Sequence, residues 1–167
     1  MAASELLEYD FPIFILMGEY WRKGKLPYDP YYYGDIVGVR PFVLYPFNIL
    51  LSLFMERGKI DFSFRLLVYY VFAHILIMSF LAYNLFGKGL IGIFGALAWT
   101  YMGYHQQQSI TRTAGFMWLT AVLLGLKLHQ PILAGISLGM MILIANPPYT
   151  LYLIYFMGLF WIDRLLF

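Results

Sequence analysis

The residues best suited to chemistry fall in two places, an acidic start and a polar loop in the middle of the chain. Glu5, Glu8 and Asp10 precede an apolar stretch, and a carboxylate at a membrane surface can serve as a general base or a metal ligand. The same acids also suit a solvated helix start, where negative charge complements the helix dipole. The loop Gly103-Tyr104-His105-Gln106-Gln107-Gln108-Ser109-Ile110-Thr111-Arg112 gathers donors and acceptors of the kind a phosphate or sugar site needs. Arg112 can grip a phosphate through two parallel hydrogen bonds, although a wet turn with an arginine snorkelling beside a helix start uses the same residues. His105 lacks a second His or carboxylate at ligand spacing, which weakens a metal reading. His74 lies in an apolar run between Phe72 and Ile77. An ionisable side chain there is either functional or a neutral imidazole bonded to a neighbouring helix. There is no P-loop, dinucleotide-binding glycine pattern, HExxH or nucleophile elbow.

Composition says what must position these residues. Of 167 residues, 62% are hydrophobic and 12% charged, against about half and about a quarter in a soluble domain. A chain this short has little interior, so many apolar side chains must face lipid. Aromatics make up 20%, which suits helix ends at headgroup depth. The formal charge of +2 identifies no partner, and the absence of a basic patch argues against nucleic acid. With no cysteine, disulfides and thiolate metal sites are excluded. The start, MAASELLEYDFP, lacks a basic region and a clean apolar run, so it reads as a segment outside the hydrocarbon rather than a signal peptide.

The pattern predicts an all-α, polytopic transmembrane bundle in two regions. Residues 1–65 read as an extracytoplasmic loop carrying an interfacial helix over 8–23, with Phe11, Phe14, Ile15 and Tyr20 near helical spacing. Gly24 ends it, and Pro27 and Pro30 forbid a regular continuation. Residues 66–167 read as transmembrane helices at about 66–86, 89–104, 113–126, 131–145 and 149–163, since lipid leaves the backbone few other choices. The stretch 42–55 is apolar but short. If it spans, Arg57, Lys59 and Arg65 become cytoplasmic, in line with the positive-inside rule; if it is interfacial or re-entrant, residues 1–65 share one side with 104–112 and 146–148. Its length favours the second arrangement.

The order of motifs resembles a known family. Ser4-Glu5-Leu6-Leu7, Pro12, Trp21-Arg22-Lys23-Gly24-Lys25-Leu26-Pro27-Tyr28-Asp29-Pro30-Tyr31 and Tyr45-Pro46-Phe47-Asn48-Ile49-Leu50-Leu51, then Gly95-Ala96-Leu97-Ala98, Gly103-Tyr104-His105, Trp118-Leu119 and Ala145-Asn146-Pro147-Pro148, resemble bacterial YfhO-like membrane proteins of the GT-C glycosyltransferase superfamily. The resemblance implies an inverting transfer of a sugar from a polyprenyl-phosphate donor to a cell-envelope acceptor on the outer face of the bacterial plasma membrane. It implies that Glu5, where the family usually has Asp, is the catalytic base, with Asp10 as the second choice. It also implies that the chain is an internal portion of a longer enzyme, without the first transmembrane helix.

Under that reading Arg112 and Arg40 hold the departing lipid phosphate, and His105 and Gln106 contact substrate. The sequence names no cofactor; a divalent metal is compatible with the carboxylates. A non-catalytic polytopic membrane subunit is the alternative, its N-terminal loop docking a partner. A small transporter ranks last, because charge is nearly absent between residues 66 and 162 outside the turns.

Overall fold

The computed structural model describes residues 11–27, 44–87, 89–105, 110–144 and 155, with backbone alone at 102–105 and 110–112. Every regular element among them is helical: α1 (Phe11–Arg22), α2 (Pro46–Phe54), a 3₁₀ turn (Arg57–Lys59), α3 (Ile60–Phe86), α4 (Leu90–His105), α5 (Ile110–Lys127) and α6 (Pro131–Ile144). The chain is therefore all-α over these residues. The helix expected at 149–163 lies outside them, apart from Tyr155.

Local chemistry explains the boundaries. Pro46 and Pro131 open α2 and α6, where a fixed φ suits the first turn and the missing N–H costs nothing. α1 closes in a Schellman turn: Gly24 adopts φ +65°, Gly24 N–H donates to Trp21 O and Lys25 N–H to Tyr20 O, each at 3.0 Å. α5 closes in the same way, but His129 holds the left-handed position at φ +53° and Gln130 N–H reaches Gly125 O at 2.8 Å. α3 begins at Ile60 rather than at the expected residue 66. Ser63 supports that earlier start: its hydroxyl accepts from Glu56 N–H at 2.9 Å and donates to Glu56 O at 3.1 Å.

α3 is the axis of the molecule. At 27 residues it is about 40 Å long, and Arg57–Phe86 is the one stretch among the described residues long and apolar enough to cross a membrane. Little of it is buried. Leu90–Tyr101, Thr113–Lys127 and Pro131–Ile144 are apolar but shorter. The segment 42–55 contains the nine-residue α2, about 14 Å long and too short to cross.

The other helices cover different halves of α3. α4 runs antiparallel to it, with Ser79 and Thr100 hydroxyls 3.1 Å apart and the Phe86 and Trp99 rings at 5.7 Å. α5 runs parallel to α3, bonded to α4 by Trp99 Nε1–H donating to Thr120 Oγ1 at 2.9 Å. α6 returns along α5, where Met141 packs on Val122. α1 and α2 pack on the first half of α3 through Phe14, Ile15, Met17, Leu51, Met55 and Leu67. Residues 1–65 are thus not separate from the bundle where they are described: α1 and α2 share a core with α3.

Cations from neighbouring helices close two C-termini. Arg22 Nη1 donates to Leu53 O at 3.0 Å and Met55 O at 2.9 Å, at the end of α2. Lys127 Nζ donates to Asn84 O and Leu85 O, at the end of α3. Both satisfy carbonyls that a helix leaves unpaired and oppose the negative end of its dipole. Gly18 permits the first of these contacts, since a Cβ there would lie 2.0 Å from Ser52 O.

Gly18→Ala should lower stability by about 1–3 kcal/mol through forced separation of α1 and α2, measured by denaturant unfolding in detergent. Gly135→Ala is the control, having nothing within 4 Å of its Cβ position; an equal loss in both variants would remove the close-approach argument. His129→Gly should raise stability by about 1 kcal/mol in the same assay, because it relieves a left-handed residue without touching the turn's hydrogen bonds.

Candidate functional site

A buried polar junction lies where the two halves of the molecule meet. Tyr45, the extended residue just before α2, is fully buried. Its hydroxyl accepts a hydrogen bond from Trp118 Nε1–H of α5 at 2.7 Å and lies 3.5 Å from His74 Nε2 of α3. His74 Nδ1 is 2.9 Å from Tyr70 O, and a carbonyl can only accept, so the proton belongs on Nδ1. Nε2 of the neutral ring is then the acceptor for the Tyr45 proton. Tyr70 O–H donates to Asn48 Oδ1 at 2.6 Å, tying the first turn of α2 to the same helix.

The elements place these groups by register. Tyr70 and His74 stand four residues apart on one face of α3, their rings 4.3 Å apart. Tyr45 and Asn48 flank the first turn of α2. Because His74 is about 21 Å along α3 from Ile60, the start of α2 reaches the middle of the long helix, and its end returns to the helix start at Met55. Ala114 of α5 and Ile144 of α6 close the apolar side of Tyr45. Burial pushes the Tyr45 phenol well above its ordinary range, only partly opposed by the Trp118 hydrogen bond. It is therefore a neutral donor and acceptor. With its partners satisfied, the junction has the character of a fastening rather than of a reactive centre.

None of the sequence-derived site residues is described with its side chain. Glu5, Asp10, Arg40 and Gln106 lie outside the described residues; His105 and Arg112 are described by backbone only, as the last residue of α4 and the third of α5. Helix directions put the start of α5 at the same end of the bundle as α1, α2 and the start of α3. Among the described residues no group of three or more His, Cys, Asp or Glu could hold a metal ion. His74 has the partners of a neutral imidazole, though these are the Tyr70 carbonyl of its own helix and the Tyr45 hydroxyl just before α2 rather than a group on a neighbouring helix. Tyr45, Asn48, Tyr70 and Trp118 were not recognisable as its company, although Tyr45-Pro46-Phe47-Asn48 and Trp118-Leu119 drew attention as motifs. Comparison with family models, curated proteins and solved structures finds no match to this chain.

Tyr45→Phe should cost about 1–3 kcal/mol by leaving the Trp118 N–H and His74 Nε2 buried without partners. Paired with Trp118→Phe in a double-mutant cycle, it should show a coupling of about 0.5–3 kcal/mol. Additive losses would mean that the Tyr45 to Trp118 bond fastens nothing.

Proposed function

We propose that the chain belongs to a polytopic membrane glycosyltransferase of the GT-C type, transferring a sugar from a polyprenyl-phosphate donor at the outer face of a bacterial plasma membrane. The supporting observation is the junction at Tyr45, which ties the start of α2 and the first half of α5 to the middle of α3. Arg112 precedes Trp118 by six residues on the same helix, and Arg40 is assigned from the sequence alone. Arg112 thus belongs to the first turn of α5, whose start shares one end of the bundle with the start of α3.

The reaction needs few groups. The Glu5 carboxylate takes the proton of the acceptor hydroxyl, whose oxygen attacks the anomeric carbon. The bond from that carbon to the phosphate oxygen breaks, and polyprenyl phosphate leaves with the electron pair, its charge met by Arg112 and Arg40. His105 and Gln106 hydrogen-bond the sugar. Asp10 is the alternative base. No metal is assigned.

A second reading, a non-catalytic polytopic subunit, is favoured by the placement of charge. Among the described residues Arg22, Lys23, Lys25, Arg57, Lys59 and Arg65 lie at the α1–α2 end, against Lys127 at the other. Basic residues favour the cytoplasmic side, opposite to the side that outer-face transfer requires.

Two experiments separate these readings. In the complete protein, Glu5→Gln should reduce sugar transfer by about 10²–10⁴-fold with folding intact, and Arg112→Ala should reduce it even at raised donor concentration. Near-normal transfer in both Glu5→Gln and Asp10→Asn would end the catalytic reading. The chain has no cysteine, so Lys25→Cys and Gln130→Cys can each be probed in intact cells with an impermeant thiol reagent. Labelling at 25 alone supports transfer at the outer face; labelling at 130 alone supports the subunit.

A further inference from the structure

The described cations are used differently at the two ends of the bundle. Lys127 is engaged with the carbonyls of Asn84 and Leu85. At the α1–α2 end, Arg22 is likewise engaged with backbone, but Lys23, Lys25 and Arg65 make no salt bridge among the described residues and are exposed. Two further pairs there are at the surface: Arg57 with Glu19 at 3.6 Å and Lys59 with Glu56 at 3.0 Å. Exposed pairs of this kind contribute little and exchange readily for another anion.

Position adds a second observation. Arg65, Val68, Tyr69, Phe72, Leu76 and Phe80 follow helical spacing along one exposed stripe of α3. The stripe is apolar over its length and changes to a cation at Arg65, with Tyr69 one turn away. That is the sequence of environments from acyl chain to headgroup, an aromatic ring and a basic residue marking the boundary. Lys23 and Lys25 flank the hydrogen-bonded turn at Gly24, whose fixed backbone presents them at the same end of the bundle as the start of α3.

We infer that this end of the molecule docks anionic phospholipid headgroups, the acyl chain lying along the exposed α3 stripe and the phosphate meeting Arg65, with Lys23 and Lys25 extending the positive surface. Membrane insertion is its premise; the transfer reaction is not. Each cation near a membrane surface strengthens association with anionic lipid by about fivefold, and salt screens the effect.

The test uses the full chain purified in neutral detergent and offered equal amounts of phosphatidylglycerol and phosphatidylcholine, with bound lipid read by native mass spectrometry. The wild type should retain phosphatidylglycerol preferentially. The triple variant Lys23→Gln, Lys25→Gln, Arg65→Gln should lose that preference by at least about tenfold while still binding phosphatidylcholine, and Arg65→Lys should keep it. Should the triple variant lose helicity by circular dichroism, Arg65→Gln alone carries the test, with about a fivefold loss expected. Equal retention of the two lipids by the wild type, or an unchanged preference in the charge-neutral variant, would overturn the inference. So would displacement of phosphatidylglycerol by millimolar inorganic phosphate, which would indicate a free-anion site. Failure to retain either lipid would count against membrane insertion itself.

Discussion

One phenol ties together segments that local forces would leave apart. Tyr45 accepts from Trp118 and faces His74, so α2, α3 and α5 are tied at a single buried point. Buried from water, each of these groups loses more by being unpaired than it gains in any one bond. The start of α2 is therefore held deep against α3, although its own nine residues have no intrinsic reason to lie there. Asn48 and Tyr70 reinforce the placement with a bond between the same two helices.

Around that point the helices are secured by polar contacts of a kind suited to an apolar surrounding. Beside the apolar clusters, small residues that allow close approach and interhelical hydrogen bonds fasten these helices. Gly18 lets α1 approach the backbone of α2, Trp99 bonds Thr120, and Ser79 meets Thr100. Arg22 and Lys127 use long side chains to close helix ends on neighbouring elements. The outward faces of α3, α4 and α6 remain rich in Phe, Leu, Ile and Tyr among the described residues.

This division of labour bears on function. The junction is satisfied and buried, which makes it a support. Exposed cations lie away from it, at the end where α1 closes and α3 starts. Positive charge at that end can serve a lipid phosphate whether the lipid is a substrate or a structural neighbour. The two proposals draw on different cations: Arg112 and Arg40 for the proposed departing phosphate, Arg65 and the lysines beside Gly24 for the proposed headgroup.

Much of the helical order among the described residues was legible in the sequence, because apolar runs broken by Gly24, Gly87 and the prolines at 46 and 131 carry their own boundaries. The register of α4, α5 and α6 followed from such breaks to within a few residues, and the shortness of 42–55 argued against a span. His74 was recognisable as an anomaly in an apolar run. Its partners were not, since Tyr45 and Trp118 are separated by 73 residues and no local pattern encodes a contact at that distance. The early start of α3 was also hidden: Asp61 and Arg65 look like loop residues until Ser63 is seen bonding Glu56. Composition and periodicity alone thus determined that the chain is helical and where most helices break, because those properties depend on neighbours in sequence. Tertiary structure decided how deep α2 sits, which end Trp118 and Tyr45 bring together and which cations remain exposed, because each depends on two buried polar groups finding one another across the fold.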